Sequence, residues 1–300
     1  MRAVVFRTFG GPEVLEVAET PLPEPGAGQI RIKVAAAALN PADLSLRAGR
    51  FGSRGLGTDL ERLGLGLDVA GVVDGLADGI SSPEVGTAVI AMVAGVREFK
   101  AYAEYVVVDA AAVAVAPGSV DLVHAATLPV GALTADEALT LVAAQPGDRI
   151  LITGAAGGVG GYAVQLARHA GLHVVAHSHP GDAALLRELG AHEAVSDLDG
   201  PTFDAAFDAA GLGDAVFASV RDNGAYVTTR PDLLPDTQRG VRVSAVQAAP
   251  DGPRLAQLAA LVDQGVLTPR VAMTYPLAEA AKAHAHFAEG GVRGRLVLVP

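Results

Sequence analysis

The stretch that decides the fold is Arg149-Ile-Leu-Ile-Thr-Gly154-Ala-Ala-Gly157-Gly158-Val159-Gly160-Gly161, which runs on into Tyr162-Ala-Val-Gln-Leu-Ala-Arg-His-Ala170. Arg149 to Ile152 reads as a short buried strand. After the glycines, apolar residues recur at helical spacing at Val159, Ala163, Leu166, Ala167 and Ala170. Strand, glycine-rich turn and helix in that order form the phosphate-binding start of a dinucleotide fold. Glycine is needed because the backbone must turn sharply and admit a pyrophosphate with no Cβ in the way. The phosphate then rests on unpaired N–H groups at the helix N-terminus, where the dipole favours negative charge. The spacing here is G-x-x-G-x-x-G rather than G-x-G-x-x-G, so the turn alone leaves open an ordinary strand-to-helix connection. The flanking pattern has to decide.

Downstream, strands and helices alternate: strand His173–His177, helix Ala183–Leu189, strand Phe203–Asp208, helix Asp214–Val220, strand Ala225–Thr229. That alternation predicts a parallel, doubly wound sheet. A further strand near Val241–Val246 and a helix over Pro253–Gln264 follow. Upstream the pattern is β-rich, with strands at Arg2–Phe6, Leu15–Ala18, Gln29–Ala36, Asp68–Val73, Ala88–Ala94 and Ala103–Val108. Asn40-Pro41 opens a short helix ending near Gly49. Arg50–Gly66 is glycine-rich with mixed charges and reads as a mobile surface loop. Ala125–Ala143 reads as helices around a break at Pro129-Val-Gly131. At the C-terminus, helix Leu277–Ala288 and strand Arg295–Val299 have no obvious place in the parallel sheet and are expected to return to the first domain. The expected fold is therefore α/β, with a β-rich domain over 1–123 and 268–300 and a Rossmann domain over 124–267. Ligand chemistry is expected in the cleft between them.

Half of the 300 residues are apolar and 18% are charged, which fits a globular chain with a sizeable core. A net charge of −11 argues against a nucleic-acid footprint. Lysine occurs only at Lys33, Lys100 and Lys282, so arginine carries most of the positive charge. With no cysteine, disulfides, thiolate metal sites and a cysteine nucleophile are excluded. No apolar signal segment follows Met1, and the most apolar run, Tyr105–Ala116, is interrupted by Asp109 and too short to cross a bilayer. A cytoplasmic protein with no membrane partner is expected.

Several motifs together resemble one family. Phe9-Gly-Gly-Pro-Glu-Val-Leu15, Asn40-Pro-x-Asp43, Gly66-x-Asp68-x-x-Gly71, Ala103-Glu104-Tyr105, Leu128-Pro-x-x-x-Leu133-Thr134-Ala135, Ala155-Ala-Gly-Gly-Val-Gly160 and Arg293-Gly294-Arg295-Leu-Val-Leu298 occur in order along nearly the whole chain. This is similar to the zinc-independent quinone oxidoreductases, the zeta-crystallin-like group of the medium-chain dehydrogenase/reductase superfamily. The resemblance implies a groES-like β domain beside the Rossmann domain, NADPH as hydride donor, a quinone or other activated enone as acceptor, and a homodimer joined through a sheet edge such as Arg242–Val246. Zinc alcohol dehydrogenases of the superfamily carry Gly-His-Glu and cysteine ligands. Here Leu67 stands at the histidine position and cysteine is absent, so no metal site is expected.

Cofactor contacts are expected from the glycine turn, at Gly154, Ala155, Gly157, Gly158 and Val159, and from Ala210 and Gly211 at the end of a parallel strand. The end of the second strand, Val174-Val-Ala-His177-Ser178-His179, lacks the carboxylate that selects NAD, which favours NADPH, with Ser178 and His179 as contacts to the extra phosphate. The family often places Arg or Lys nearby. This chain does not, and Asp182 lies close by. By the resemblance, Asn40 sits near the nicotinamide ribose or the acceptor, and Thr134 contacts the nicotinamide side. As plain sequence, Asn40 reads equally as a turn residue before Pro41, and Thr134 as a helix N-cap. Asp43 and Asp68 read as structural carboxylates. Ser45 occupies the position where many family members carry a tyrosine. It is the candidate catalytic residue beside Asn40 but a much poorer proton donor, so the proton is expected from solvent. An enoyl reductase acting on an α,β-unsaturated thioester or polyketide intermediate is the alternative enzyme, and a non-catalytic NADPH-binding protein is the alternative of another class.

Overall fold

The computed structural model describes residues 1–50, 61–95, 100–198 and 200–300. In chain order it contains β1 (Arg2–Phe6), β2 (Glu16–Glu19), β3 (Gln29–Ala38), α1 (Pro41–Arg47), β4 (Leu63–Gly64), β5 (Asp68–Leu76), β6 (Ala88–Met92), β7 (Tyr105–Asp109), β8 (Val113–Val115), α2 (Leu122–Ala125) and α3 (Pro129–Val142). There follow β9 (Arg149–Thr153), α4 (Gly158–His169), β10 (His173–His177), α5 (Ala183–Glu188), β11 (Glu193–Val195), β12 (Phe203–Asp208), α6 (Asp214–Ser219), β13 (Val220–Thr228) and β14 (Arg242–Ala245). The chain closes with α7 (Gly252–Asp263), β15 (Val271–Pro276), α8 (Ala280–Glu289) and β16 (Arg295–Val299). It divides into two compact units. One comprises Met1–Val130, Ala249–Asp263 and Pro269–Pro300; the other comprises Gly131–Ala248 and Gln264–Thr268.

In the second unit six strands pair in the order β11-β10-β9-β12-β13-β14, every pairing parallel. The chain leaves β9 outward to β11, then returns to the other side of β9 as β12. This is the topological switch of a doubly wound sheet, and ligands of such sheets bind beyond the strand ends there. Register places Thr153 opposite both His177 and Asp208, and Asp208 opposite Thr228. Four strand ends thus form one row. Ile150, Leu151 and Ile152 are fully buried, which explains why β9 reads as an unbroken apolar run, as expected for a central parallel strand. Each contributes about 2 kcal/mol by burial. In α4 every residue from Gly160 to Ala167 is buried, so the helix is covered on all sides, while Arg168 and His169 stand in the last turn against the negative end of the dipole.

The first unit is antiparallel apart from β15 with β16. One sheet runs β15-β16-β3-β5-β6-β8, with β7 also pairing β3, and a second runs β2-β1-β4. The alternation in Ile30-Arg-Ile-Lys-Val puts Ile30, Ile32 and Val34 into the core, where they meet Val69, Val73, Val106 and Leu296. Strand β16 pairs β3, with Val297 opposite Ala38, so the C-terminal segment does return to the β-rich unit.

Four short strands escape the sequence pattern, among them Val113–Val115, which pairs β6. Residues 61–66 of the supposed loop are partly strand, since Leu63–Gly64 pairs β1. The remainder of that loop, 51–60, lies outside the described residues. Glu193–Val195 and Val271–Pro276 are too short or too exposed to show a clean period of two. The partition of the chain also differs at α7, which belongs to the first unit rather than to the nucleotide domain. A Cβ on Gly252 would lie 2.5 Å from the Ala111 carbonyl oxygen, so the start of α7 sits directly on the strand-leading turn of that unit. Pro129 begins α3, which is therefore unbroken through Gly131.

Candidate active site

The turn between β9 and α4 is built around the carbonyl of Gly154. Gly154 itself has φ +58°, a left-handed conformation open to glycine. Its oxygen accepts the Gly157 N–H at 2.9 Å. A Cβ on Gly160 would stand 2.3 Å from the same oxygen, so the helix can approach the strand this closely only without a side chain. At Gly157 the Cβ would be 3.1 Å from it. Two glycines of the uncommon spacing, Gly157 and Gly160, thus close on the carbonyl of the third, Gly154. Ala155 and Ala156 are buried beneath the turn, whereas Gly154, Gly157, Gly158 and Val159 keep partial exposure. The N–H groups of Gly158, Val159 and Gly160 open α4 and have no intrahelical acceptor. N–H groups left open in this way at a helix start are suited to an anion.

A second loop is set beside this one by Asp208, a residue the sequence analysis passed over. Asp208 is fully buried. Its Oδ1 accepts from Thr153 Oγ1 at 2.6 Å and from the Gly211 N–H at 3.1 Å. Its Oδ2 accepts from the Gly213 N–H at 2.8 Å and the Tyr226 hydroxyl at 2.9 Å. Thr153 in turn accepts the Ala210 N–H at 3.0 Å. One carboxylate therefore fixes Ala210 and Gly211 against the glycine turn, and its charge and burial push the Tyr226 phenol well above its usual range. The signal was present as an acid closing the apolar run Ala205-Ala-Phe207 at the end of a parallel strand.

At the end of β10, Ser178 donates to Asp182 Oδ2 at 2.7 Å, and His179 Nδ1 accepts the Gly181 N–H at 3.2 Å. Thr134 lies inside α3 and caps nothing, which removes its reading as an N-cap. It is largely buried.

In the first unit, Asn40 sits at the N-cap position of α1, with its backbone N–H donated to Asp43 Oδ2 at 2.9 Å. Its side chain is engaged at both ends. Nδ2 donates to Asp68 Oδ2 at 2.8 Å, and Oδ1 accepts from Arg295 at 2.6 Å. Asp68 also accepts the Val130 N–H at 2.6 Å. Burial raises Asp68 to about 6 against the opposing pull of Arg295, the Val130 N–H and Asn40. Asp43 accepts from the Gly66 N–H and from Tyr102, at 3.0 and 3.1 Å, and burial raises it while Lys100 and these donors oppose the rise. Both acids are thus buried and hydrogen-bonded within the first unit. Ser45 is half-buried on α1, and its hydroxyl makes no hydrogen bond to a described residue.

A family model for the alcohol dehydrogenase GroES-like domain matches residues 26–118, and one for a zinc-binding dehydrogenase matches residues 173–298. The chain is 31% identical over 317 residues to the chloroplastic NADPH-dependent alkenal/one oxidoreductase of Arabidopsis thaliana, covering 100% of this chain and 80% of that protein. It is 33% identical over 310 residues to the pikromycin polyketide synthase component PikAII of Streptomyces venezuelae, covering 94% of this chain but only 8% of that synthase. Among solved structures, the quinone oxidoreductase from Coxiella burnetii superposes with a TM-score of 0.88 at 29% identity, covering 100% of this chain and 99% of that one. The chain belongs to the quinone oxidoreductases of the medium-chain dehydrogenase/reductase superfamily.

As a member of that family it is an oxidoreductase using a nicotinamide cofactor, and its residues fit one. The glycine turn leaves no Cβ over the N–H groups that would hold a pyrophosphate, and Asp208 presents the neighbouring loop. One family description names zinc. The chain has no cysteine, and among the described residues no group of three His, Asp or Glu is placed to hold a metal ion. No helix among the described residues is long and apolar enough to cross a membrane.

Proposed function

We propose that this chain is a zinc-independent reductase that takes hydride from NADPH and delivers it to a quinone or another activated enone. The observation that carries the reading is the turn around the Gly154 carbonyl, locked by Asp208 to the Ala210–Gly211 loop at the switch point of the sheet. When bound, the cofactor supplies a hydride from C4 of its nicotinamide ring. The N–H groups of Gly158, Val159 and Gly160 would hold its pyrophosphate, and Thr134, Ala210 and Gly211 would bound the nicotinamide side. Two points support NADPH: no carboxylate occupies the last positions of β10, and the Arabidopsis relative is named NADPH-dependent.

On the acceptor side, Asn40 acts as a rigid wall. Held by Asp68 and Arg295, its amide keeps a single orientation with no rotamer entropy left to lose. Hydride joins the β-carbon of the enone, the electron pair moves to the carbonyl oxygen, and a proton completes the reduction. The enolate left by hydride addition is basic enough to take its proton from water directly, so the step needs no acid from Ser45. The same balance converts a quinone into a hydroquinone.

The test is NADPH oxidation in the presence of benzoquinones, naphthoquinones, α,β-unsaturated ketones and crotonyl thioesters. Turnover on quinones or enones supports the proposal. A strong preference for the thioester replaces it with an enoyl reductase. NADPH binding with no turnover on any acceptor leaves a binding protein and refutes it.

A further inference from the structure

The hydroxyl best placed to meet the adenosine ribose is not free. Ser178 immediately follows β10, and its N–H is tied to the Val195 carbonyl at 3.1 Å, which fixes the residue in place. Its Oγ–H points at Asp182, 2.7 Å away. Asp182 is only 7% exposed and is folded back by a single 3-10 turn over Pro180–Asp182, closed by its own N–H on the His179 carbonyl at 2.9 Å. In sequence this acid lies four residues beyond the point where a selecting carboxylate is sought. The fold returns it to that point.

The consequence follows from donor and acceptor chemistry. With its proton committed to Asp182, Ser178 offers lone pairs outward. The 2′-hydroxyl of an NADH ribose is a donor and can use them. A 2′-phosphate is an acceptor with up to two negative charges, and it meets a lone pair backed by a carboxylate. Neither neighbouring imidazole offsets this by hydrogen bonding inside the turn: His179 Nδ1 accepts from Gly181, and His177 Nε2 lies 3.1 Å from the Ser196 carbonyl oxygen.

We propose that Asp182, acting through Ser178, is the positioning residue that sets the cofactor preference, holding NADPH selectivity down so that NADH remains a competent partner. This rests on the nicotinamide-cofactor reading above and refines it. Replacing the carboxylate by its amide removes the charge while keeping an acceptor for Ser178, so the gain falls on the phosphorylated nucleotide alone.

The experiment is a fluorescence titration of NADPH and NADH, without any acceptor, on the full chain and on Asp182→Asn. Wild type is expected to bind the two within about tenfold of each other. D182N is expected to tighten NADPH by about tenfold, the effect of removing one unit charge beside a phosphate in partly solvated protein, and to move NADH less than about twofold. Asp182→Ala serves as a second variant with the same expected direction. Asp182 makes no side-chain cap bond to α5, so neither change removes a helix cap. An unchanged ratio in both variants, or equal tightening of both nucleotides, overturns the role of Asp182. Binding of neither nucleotide by wild type overturns the cofactor reading, and the proposal falls with it.

Discussion

Gly160→Ala is the sharpest structural perturbation of the nucleotide turn. The added methyl would lie 2.3 Å from the Gly154 oxygen, 2.7 Å from its carbonyl carbon and 2.9 Å from the Ala155 Cα. All three are backbone atoms of the turn itself, so no flexible side chain can move aside. Reaching ordinary contact requires a retreat of about 1 Å. Overpacking of this kind costs roughly 1–3 kcal/mol, and the better helix propensity of alanine returns at most about 1 kcal/mol. With that return taken in full, the net loss is up to about 2 kcal/mol, read as a lower urea midpoint at unchanged slope. Nucleotide affinity suffers more, because the displaced atoms carry the N–H groups that hold the pyrophosphate. A drop of at least about tenfold is expected, since an ångström of misplacement is costly in a preorganised site. Gly118→Ala is the control: its Cβ meets nothing within 4 Å, and its stability should stay within about 0.5 kcal/mol of wild type. G160A matching the control in both midpoint and affinity would refute the close approach of helix and strand.

Asp208→Asn turns one acceptor oxygen into a donor facing N–H or O–H donors. It should cost about 2–3 kcal/mol by chemical unfolding and weaken NADPH binding with it, whereas unchanged values would remove Asp208 as the clamp of the two loops. His284 is fully buried, accepts from Arg47 at 3.0 Å, and is pushed down to about 3 by burial and then by the Arg47 charge. Its folded value lies below its unfolded one of about 6.5, so its contribution is complete above pH 6.5 and is lost as pH falls toward 3, at up to roughly 1.4 kcal/mol per pH unit. His284→Phe should flatten the stability profile across that window, and parallel profiles would show that burial and Arg47 do not hold the folded ring below its unfolded value. Exhaustive dialysis against a chelator should leave turnover unchanged and elemental analysis should find no stoichiometric zinc. A metal-dependent loss would contradict the donor-set argument.

Much of this was legible in the residues. The boundaries of β9, β10, β12 and β16 follow from apolar runs closed by glycine, histidine or aspartate, and the glycine turn announces its chemistry because few other residues fit it. The strands Glu193–Val195 and Val271–Pro276 were not legible, since their pairing depends on neighbours distant in sequence rather than on a local period. The site divides in the same way. Gly154, Gly157 and Gly160 declare themselves through backbone geometry, which sequence encodes directly. Asp208 and Asp182 act through folded-back hydrogen bonds, so their roles needed coordinates. Asn40 lies between these cases: its position before Pro41 signals the helix start, but only the structure shows both ends of its amide held by Asp68 and Arg295.

The central claim is hydride transfer from the nicotinamide to carbon. It is tested most directly by turning over an α,β-unsaturated ketone with NADPH deuterated at C4, in separate reactions with the 4R and 4S labels, and reading the product by mass spectrometry and NMR. The account predicts a single deuterium on the β-carbon from one of the two labels, and with unlabelled NADPH in heavy water a single deuterium on the α-carbon. Product with no label on the β-carbon from either deuterated cofactor would contradict it.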